Sequence, residues 1–176
     1  MKRVLRIVGI VVGVLVVALV GYLMYSSTKS PKAKAEFNQN GLAVTVDYCQ
    51  PSKKGRKIFG ELIPFGKVWR TGANAATVIE LNKAVTVAGK PVPAGKYSLW
   101  TIPSADLTWT LILNKETGQW GTMYDETQDF ARIPVSARLF PTPIEQFKIE
   151  FAPQPGGANM VMGWDNMEVD VPIRAQ

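Results

Sequence analysis

The sequence predicts an all-β fold: an antiparallel β-sandwich with jelly-roll-like or Greek-key connections, preceded by a single N-terminal transmembrane helix. Three observations support this prediction. Apolar and polar residues alternate along much of the chain after residue 35, as they do along half-buried strands. Clusters of Gly, Pro, Asn and Asp separate the alternating segments. The N-terminus instead carries an uncharged apolar run. A closed barrel is the alternative architecture.

The N-terminal segment, residues 1–25, is predicted to be a transmembrane signal anchor. Residues 7–25 contain no charged side chain, and a helix needs about 20 apolar residues to cross a bilayer. Lys2, Arg3 and Arg6 precede this run. Because positive charge favours the cytoplasmic side, we expect a single-pass protein of the inner (cytoplasmic) membrane with its domain in the periplasm or outside the cell.

Residues 26–35 are predicted to be a flexible tether, and residues 36–176 the extracytoplasmic β domain. The tether contains three lysines and no large apolar residue. Residues 33–35, Ala-Lys-Ala, are similar to a cleavage site, so a cleaved signal peptide is the alternative to an anchor. Six of the 20 basic residues lie in residues 1–35, which leaves 14 basic against 14 acidic residues in the domain. A neutral domain argues against a nucleic-acid partner, since phosphate-backbone binding needs a basic surface.

Period-two patterning predicts strands within the domain, at residues 42–48, 77–81, 84–87, 96–102, 108–114, 133–139, 147–151 and 167–173. Residues 96–102 and 108–114 are apolar on both faces, which is typical of central strands. Asp165 and Asn166 fall between two apolar segments, so we expect a two-residue turn and a C-terminal β-hairpin there.

Several catalytic classes are excluded by composition. The chain has no histidine, which rules out Ser-His-Asp and Cys-His sets and any His-ligated metal site. Cys49 is the single cysteine, so no intramolecular disulfide is possible, and we expect it to be a small core or strand-end residue. No glycine-rich phosphate loop is present. We therefore predict neither a cofactor nor a metal.

The first candidate binding segment is the corner that contains Trp69, Arg70 and Asn74. Arg70 precedes small residues that would let a ligand approach closely. It is a candidate clamp for a carboxylate or phosphate, with Asn74 as a second donor. The alternative, which we favour, is that Arg70 pairs with an internal carboxylate such as Glu80. Its replacement by alanine would then cost about 3–5 kcal/mol.

The second candidate binding segment spans residues 119–132 and mixes aromatic with charged side chains. Its candidate ligand-binding residues are Trp120, Tyr124, Asp125, Asp129 and Arg132. The rings could stack on a sugar or close the end of a core. The carboxylates could act as general acid and base in glycoside hydrolysis, share a calcium ion, or simply be solvated in a loop.

Five segments indicate a family relationship: "WRTGAN" at residues 69–74, "GKYSLWTIP" at residues 95–103, "WTLILNK", "WGTMYDETQDFARIPV" and "MGWDNMEVDVPI". They resemble the bacterial family called domain of unknown function 2911, found in envelope proteins, over about residues 55–173. The resemblance implies a secreted or membrane-attached β domain. It implies no activity, because the family has no established catalytic residues.

The functional prediction is a membrane-anchored, non-enzymatic envelope domain that binds an envelope ligand or protein through the two candidate segments. Two alternatives remain open. One is a carboxylate-based hydrolase that acts on envelope glycans, and the other is a purely structural envelope protein.

Overall fold

The computed structural model describes residues 2–176, with side chains described at residue 6, residues 9–21 and residues 29–176. Helix α1 comes first and nine strands follow it in the described chain. Their bounds are α1 (Lys2–Thr28), β1 (Lys32–Gln39), β2 (Leu42–Cys49), β3 (Thr77–Leu81), β4 (Val85–Val87), β5 (Lys90–Val92), β6 (Gly95–Ile102), β7 (Thr108–Asn114), β8 (Asp129–Gln154) and β9 (Gly157–Ala175). A short 3-10 helix, Glu126–Gln128, precedes β8.

The predicted membrane span covers residues 7–25. Of these, residues 7, 8 and 22–25 lie outside the residues whose side chains the structure describes. Within the described residues, no helix has the length and apolar character that a membrane span requires.

All nine strands pair antiparallel in one continuous sheet, in the order β1-β2-β3-β6-β7-β8-β9-β4-β5. The predicted all-β antiparallel class is therefore confirmed. β6 and β7 lie in the middle of the sheet, as their two apolar faces predicted. One face of these strands belongs to the main core, and on the other face Trp100 and Ile112 form a second, smaller cluster with Ala76.

β8 and β9 form one long hairpin that bends the sheet over itself. Their register shifts twice between residues 139 and 148, where Pro141 and Pro143 supply no backbone N–H to the ladder. Beyond the bend, β8 lies against β1 instead of β7, and the backbone N–H of Ile149 donates to Oη of Tyr48 on β2 at 3.0 Å. The two halves of the sheet therefore enclose one apolar core.

The predicted C-terminal hairpin at Asp165 and Asn166 is wrong. Both residues lie inside β9, and the hairpin turn falls at Pro155 and Gly156, between β8 and β9. Asp165 does adopt a positive φ of 52°, and its carboxylate is buried in an ion pair with Lys53. These turn-forming residues lie at a bend within β9 instead of at a hairpin turn. The chain continues as one strand because β9 pairs with β8 before and after the bend, and the ion pair with Lys53 holds Asp165 in place.

β1 begins inside the segment predicted to be a flexible tether. Residues 32–35 pair with β2, and Ala35 is only 8% exposed. The predicted tether is therefore too long by four residues at its C-terminal end. The pattern was missed because alternating alanines and lysines carry too little apolar bulk to stand out as a strand.

A soluble domain that starts at residue 36 is expected to be less stable than one that starts at Lys29. The shorter chain lacks half of β1 and uncovers Val46, which pairs with Ala35. We expect the free energy of unfolding to fall by about 2 kcal/mol through lost burial and strand pairing. Urea unfolding of the two domains measures this difference, and coincident midpoints would show that residues 32–35 add no stability.

Candidate functional site

Trp69 anchors the corner formed by residues 69–74. Its indole stacks on Trp164, with centroids 5.9 Å apart and an interplanar angle of 22°, and meets Phe147 edge-on at 5.2 Å. Its backbone exchanges two hydrogen bonds with Thr101, at 2.7 and 2.9 Å. The indole N–H donates to the carbonyl of Gly72 at 3.1 Å. The structure therefore makes Trp69 mainly a core residue.

The rest of the corner is held tightly from three sides. Thr77 Oγ1 donates to the Thr71 carbonyl at 2.7 Å, and the N–H of Gly121 donates to the Asn74 carbonyl at 2.9 Å. A Cβ on Gly72 would lie 3.0 Å from the carbonyl oxygen of Cys49. Gly72 is therefore required where the corner passes over the buried end of β2.

Arg70 is partly buried. It follows buried Trp69 and precedes buried Thr71, so it points away from the core. A Cβ added to Gly121 would lie 2.1 Å from Arg70 Cδ, which shows how closely the arginine crosses that loop. Burial lowers the pKa of Arg70, and its Nε is buried without a hydrogen-bond partner in the described chain.

The predicted pairing of Arg70 with Glu80 is wrong. Glu80 lies on β3 directly opposite Lys96 on β6, and the Lys96 Nζ to Glu80 Oε2 distance is 3.1 Å. Cross-strand register therefore gives Glu80 another partner. No carboxylate in the part of the chain that the structure describes forms an ion pair with Arg70.

The two candidate segments meet in space. Ala75 and Trp120 form an isolated β-bridge, and a cavity of about 370 Å³ lies between the segments. This cavity, here called the Tyr124 pocket, is lined by Val68, Trp69, Arg70, Trp100, Gly121, Thr122 and Tyr124. Trp120 is 51% exposed and is not among the lining residues. The structure thus joins Arg70 and Tyr124 in one site.

A hydrogen-bond network fixes the loop behind Tyr124. Tyr124 Oη donates to Asp129 Oδ2 at 2.6 Å, and Arg132 Nε donates to the same oxygen at 2.8 Å. The Tyr124 ring lies 4.9 Å from that of Trp100. Burial, followed by the bond to Asp129, raises the pKa of Tyr124 to about 12 despite an opposing effect of Arg132. Asp129 and Arg132 therefore support the pocket wall from behind.

Asp125 caps the 3-10 helix and lies at the surface. Its Oδ1 accepts from Thr127 N at 2.9 Å and from Thr127 Oγ1 at 2.7 Å, and these bonds lower the pKa of Asp125. A general acid needs a raised pKa, which is the opposite shift. Among the residues described, no group of three or more His, Cys, Asp or Glu side chains lies close enough to hold a metal ion.

A larger cleft on the other side of Arg70 was missed by the sequence analysis. This cleft, here called the Arg70 cleft, has a volume of about 530 Å³. Its lining includes Lys29, Ser30, Ser52, Lys54, Arg56, Leu62, Ile63, Arg70 and Trp164. The sequence feature that could have indicated this cleft is the group of four basic residues within residues 53–57. Of these, Lys53 pairs with Asp165 and Lys57 with Glu61, which leaves two cations for the cleft.

The geometry defines an all-β domain with a cationic cleft around Arg70. A model of the family described as protein of unknown function (DUF2911) matches residues 30–173. The chain belongs to this family. Searches of curated proteins and of solved structures find no match to the chain.

Replacing Gly121 by alanine is expected to displace Arg70. The new Cβ would stand 2.1 Å from Arg70 Cδ and 2.6 Å from the Asn74 carbonyl oxygen, and the carbonyl cannot move without opening the corner. We expect a loss of about 1–3 kcal/mol in unfolding free energy from this overpacking. Urea unfolding measures the loss, with exposed Thr122→Ala as the matched control. Equal stability of the two variants would contradict the close crossing.

Proposed function

We propose that this protein is a membrane-anchored, non-enzymatic envelope domain that binds an anionic group, a carboxylate or a phosphate, in the Arg70 cleft. The observation that carries the proposal is the buried Nε of Arg70, which has no hydrogen-bond partner in the described chain. A buried donor left unsatisfied costs about 1–3 kcal/mol. An anion that accepts from this guanidinium recovers that cost, because charge-assisted bonds are among the strongest in proteins.

The surroundings of Arg70 favour an anion over a neutral ligand. Lys54 and Arg56 line the same cleft, and neither forms an ion pair with a carboxylate among the described residues. Arg56 is held in place by backbone oxygens, through Nε to Lys53 at 2.9 Å and Nη2 to Ser52 at 2.6 Å. Its orientation is fixed while its charge remains uncompensated, as an anion site requires.

The membrane anchor and the extracytoplasmic location belong to the same proposal. Pairing of residues 32–35 with β2 supports an uncleaved anchor, because a cut after Ala35 would remove half of β1. The basic residues before residue 7 support an N-terminus in the cytoplasm. The two halves of the bent sheet would then form the layers of a sandwich-like domain in the periplasm or outside the cell.

The hydrolase alternative has less support. Asp129 accepts from Tyr124, Arg132 and Asn114, and Asp125 is occupied as a helix cap. Both carboxylates therefore have roles in holding the loop. A purely structural envelope protein is the remaining alternative, and it predicts that no ligand stabilises the fold.

Arg70→Met is expected to abolish anion binding with little effect on folding. Methionine covers Gly121 with similar bulk and removes the unsatisfied donor, so the unfolding free energy should change by less than about 1 kcal/mol. The full chain in a nonionic detergent is titrated with inorganic phosphate and with succinate, and thermal unfolding is followed. We expect the anion-dependent rise in midpoint to disappear in Arg70→Met and to persist in Lys115→Met, an exposed cation outside the cleft. No rise in the unmodified chain would favour the structural alternative.

Membrane attachment is expected to depend on residues 1–28. Washing bacterial membranes with alkaline carbonate should leave the full chain in the pellet, because an inserted apolar helix is not released by charge disruption. Protease added to spheroplasts should remove a C-terminal epitope. A chain lacking residues 1–28 serves as the control and should be released. Release of the full chain, or protection of its epitope, would contradict the proposed anchor or its orientation.

A further inference from the structure

We infer that the anion bound in the Arg70 cleft is the phosphate diester of a phospholipid headgroup in the membrane that anchors the chain. This inference rests on the proposed function and specifies its ligand. Three features of the cleft lead to it: its position along the chain, its charge and its apolar wall.

The position of the cleft is set by Lys29. Lys29 and Ser30 line the cleft together with Arg70, and α1 ends at Thr28. The predicted span ends at residue 25, so at a helical rise of about 1.5 Å per residue Lys29 lies about 6 Å beyond it. A site built partly from Lys29 therefore lies at the depth of the lipid headgroups.

The charge of the cleft matches an anionic surface. The domain as a whole is neutral, with 14 basic and 14 acidic residues, yet no acidic residue is among those that line the cleft. The neighbouring Glu145 accepts a hydrogen bond from the backbone N–H of Lys54 at 2.8 Å, but it is not one of the residues that line the cleft. Cations close to an anionic leaflet are attracted to it. Three cations of the domain line this cleft, and their attraction to the headgroups would orient the opening of the cleft toward the membrane.

The apolar wall distinguishes a lipid from a free anion. Leu62 is 47% exposed, and it lines the cleft beside Ile63 and Trp164. Phe65, on the same loop, is 36% exposed. A volume of about 530 Å³ is far larger than a phosphate ion needs. Phosphate flanked by a glycerol backbone and the first acyl methylenes presents charge to Arg70 and apolar surface to Leu62, which is the pattern the cleft offers.

The test compares lipid binding by the full chain in a nonionic detergent, measured by native mass spectrometry. Phosphatidylglycerol and phosphatidylcholine are titrated separately, and glycerophosphoglycerol and inorganic phosphate serve as soluble probes. We expect phosphatidylglycerol to bind more tightly than the other three. Lys54→Gln with Arg56→Gln should weaken its binding about 10- to 30-fold, and Lys54→Gln alone about fivefold, at about 1 kcal/mol for each cation.

The control is Lys90→Gln with Lys115→Gln, which removes the same charge from exposed positions outside the cleft and should leave lipid binding unchanged. Far-ultraviolet circular dichroism confirms that each variant is folded. Equal weakening in the two double variants would place lipid binding outside the cleft and overturn the inference. Binding of inorganic phosphate as tight as that of phosphatidylglycerol would also overturn it while leaving the proposed anion site intact. Failure of every probe to bind the unmodified chain would reject the proposed function itself.

Discussion

The aromatic contact between the 69–74 corner and the bent β8–β9 hairpin is the interaction on which the rest of the site depends. Trp69 packs on Phe147 from β8 and on Trp164 from β9, at 5.2 and 5.9 Å. Phe59 joins them from the loop after β2, at 5.9 Å from Trp69. These rings connect two parts of the chain that are distant in sequence, the loop between β2 and β3 and the β8–β9 hairpin. Because Trp69 and Thr71 must face this core, Arg70 between them must face outward.

This constraint explains how a charged side chain can be held partly buried without a carboxylate partner. The scaffold supplies the free energy that fixes Arg70, through buried rings and the backbone bonds of Trp69 with Thr101. A guanidinium placed in this way loses little conformational entropy when a ligand binds, so more of the interaction energy appears as affinity. The network of Tyr124, Asp129 and Arg132 fixes the wall of the Tyr124 pocket, on which Arg70 also lies.

Local patterns predicted much of the fold and part of the site. The two apolar faces of β6 and β7 indicated central strands, and "WRTGAN" identified the corner with Arg70. Contacts that long-range packing determines could not be predicted from local sequence patterns. Glu80 pairs with Lys96 because of strand register. Lys54 and Arg56 line one cleft with Arg70, in a loop that is held against the bend of β8 by backbone bonds. Asp165 and Asn166 predicted a turn because the same residue types serve turns and bends. β1 was missed because alanine gives a weak apolar signal.

In the proposed site, an anionic ligand accepts a hydrogen bond from the buried Nε–H of Arg70. Nuclear magnetic resonance of the ¹⁵N-labelled chain in detergent micelles tests it directly, with the Arg70 Nε–Hε signal assigned from Arg70→Lys. We predict that phosphatidylglycerol shifts this proton downfield and slows its exchange with water, as expected for a new charge-assisted hydrogen bond. A signal that keeps its position and exchange rate while the lipid binds would contradict the account.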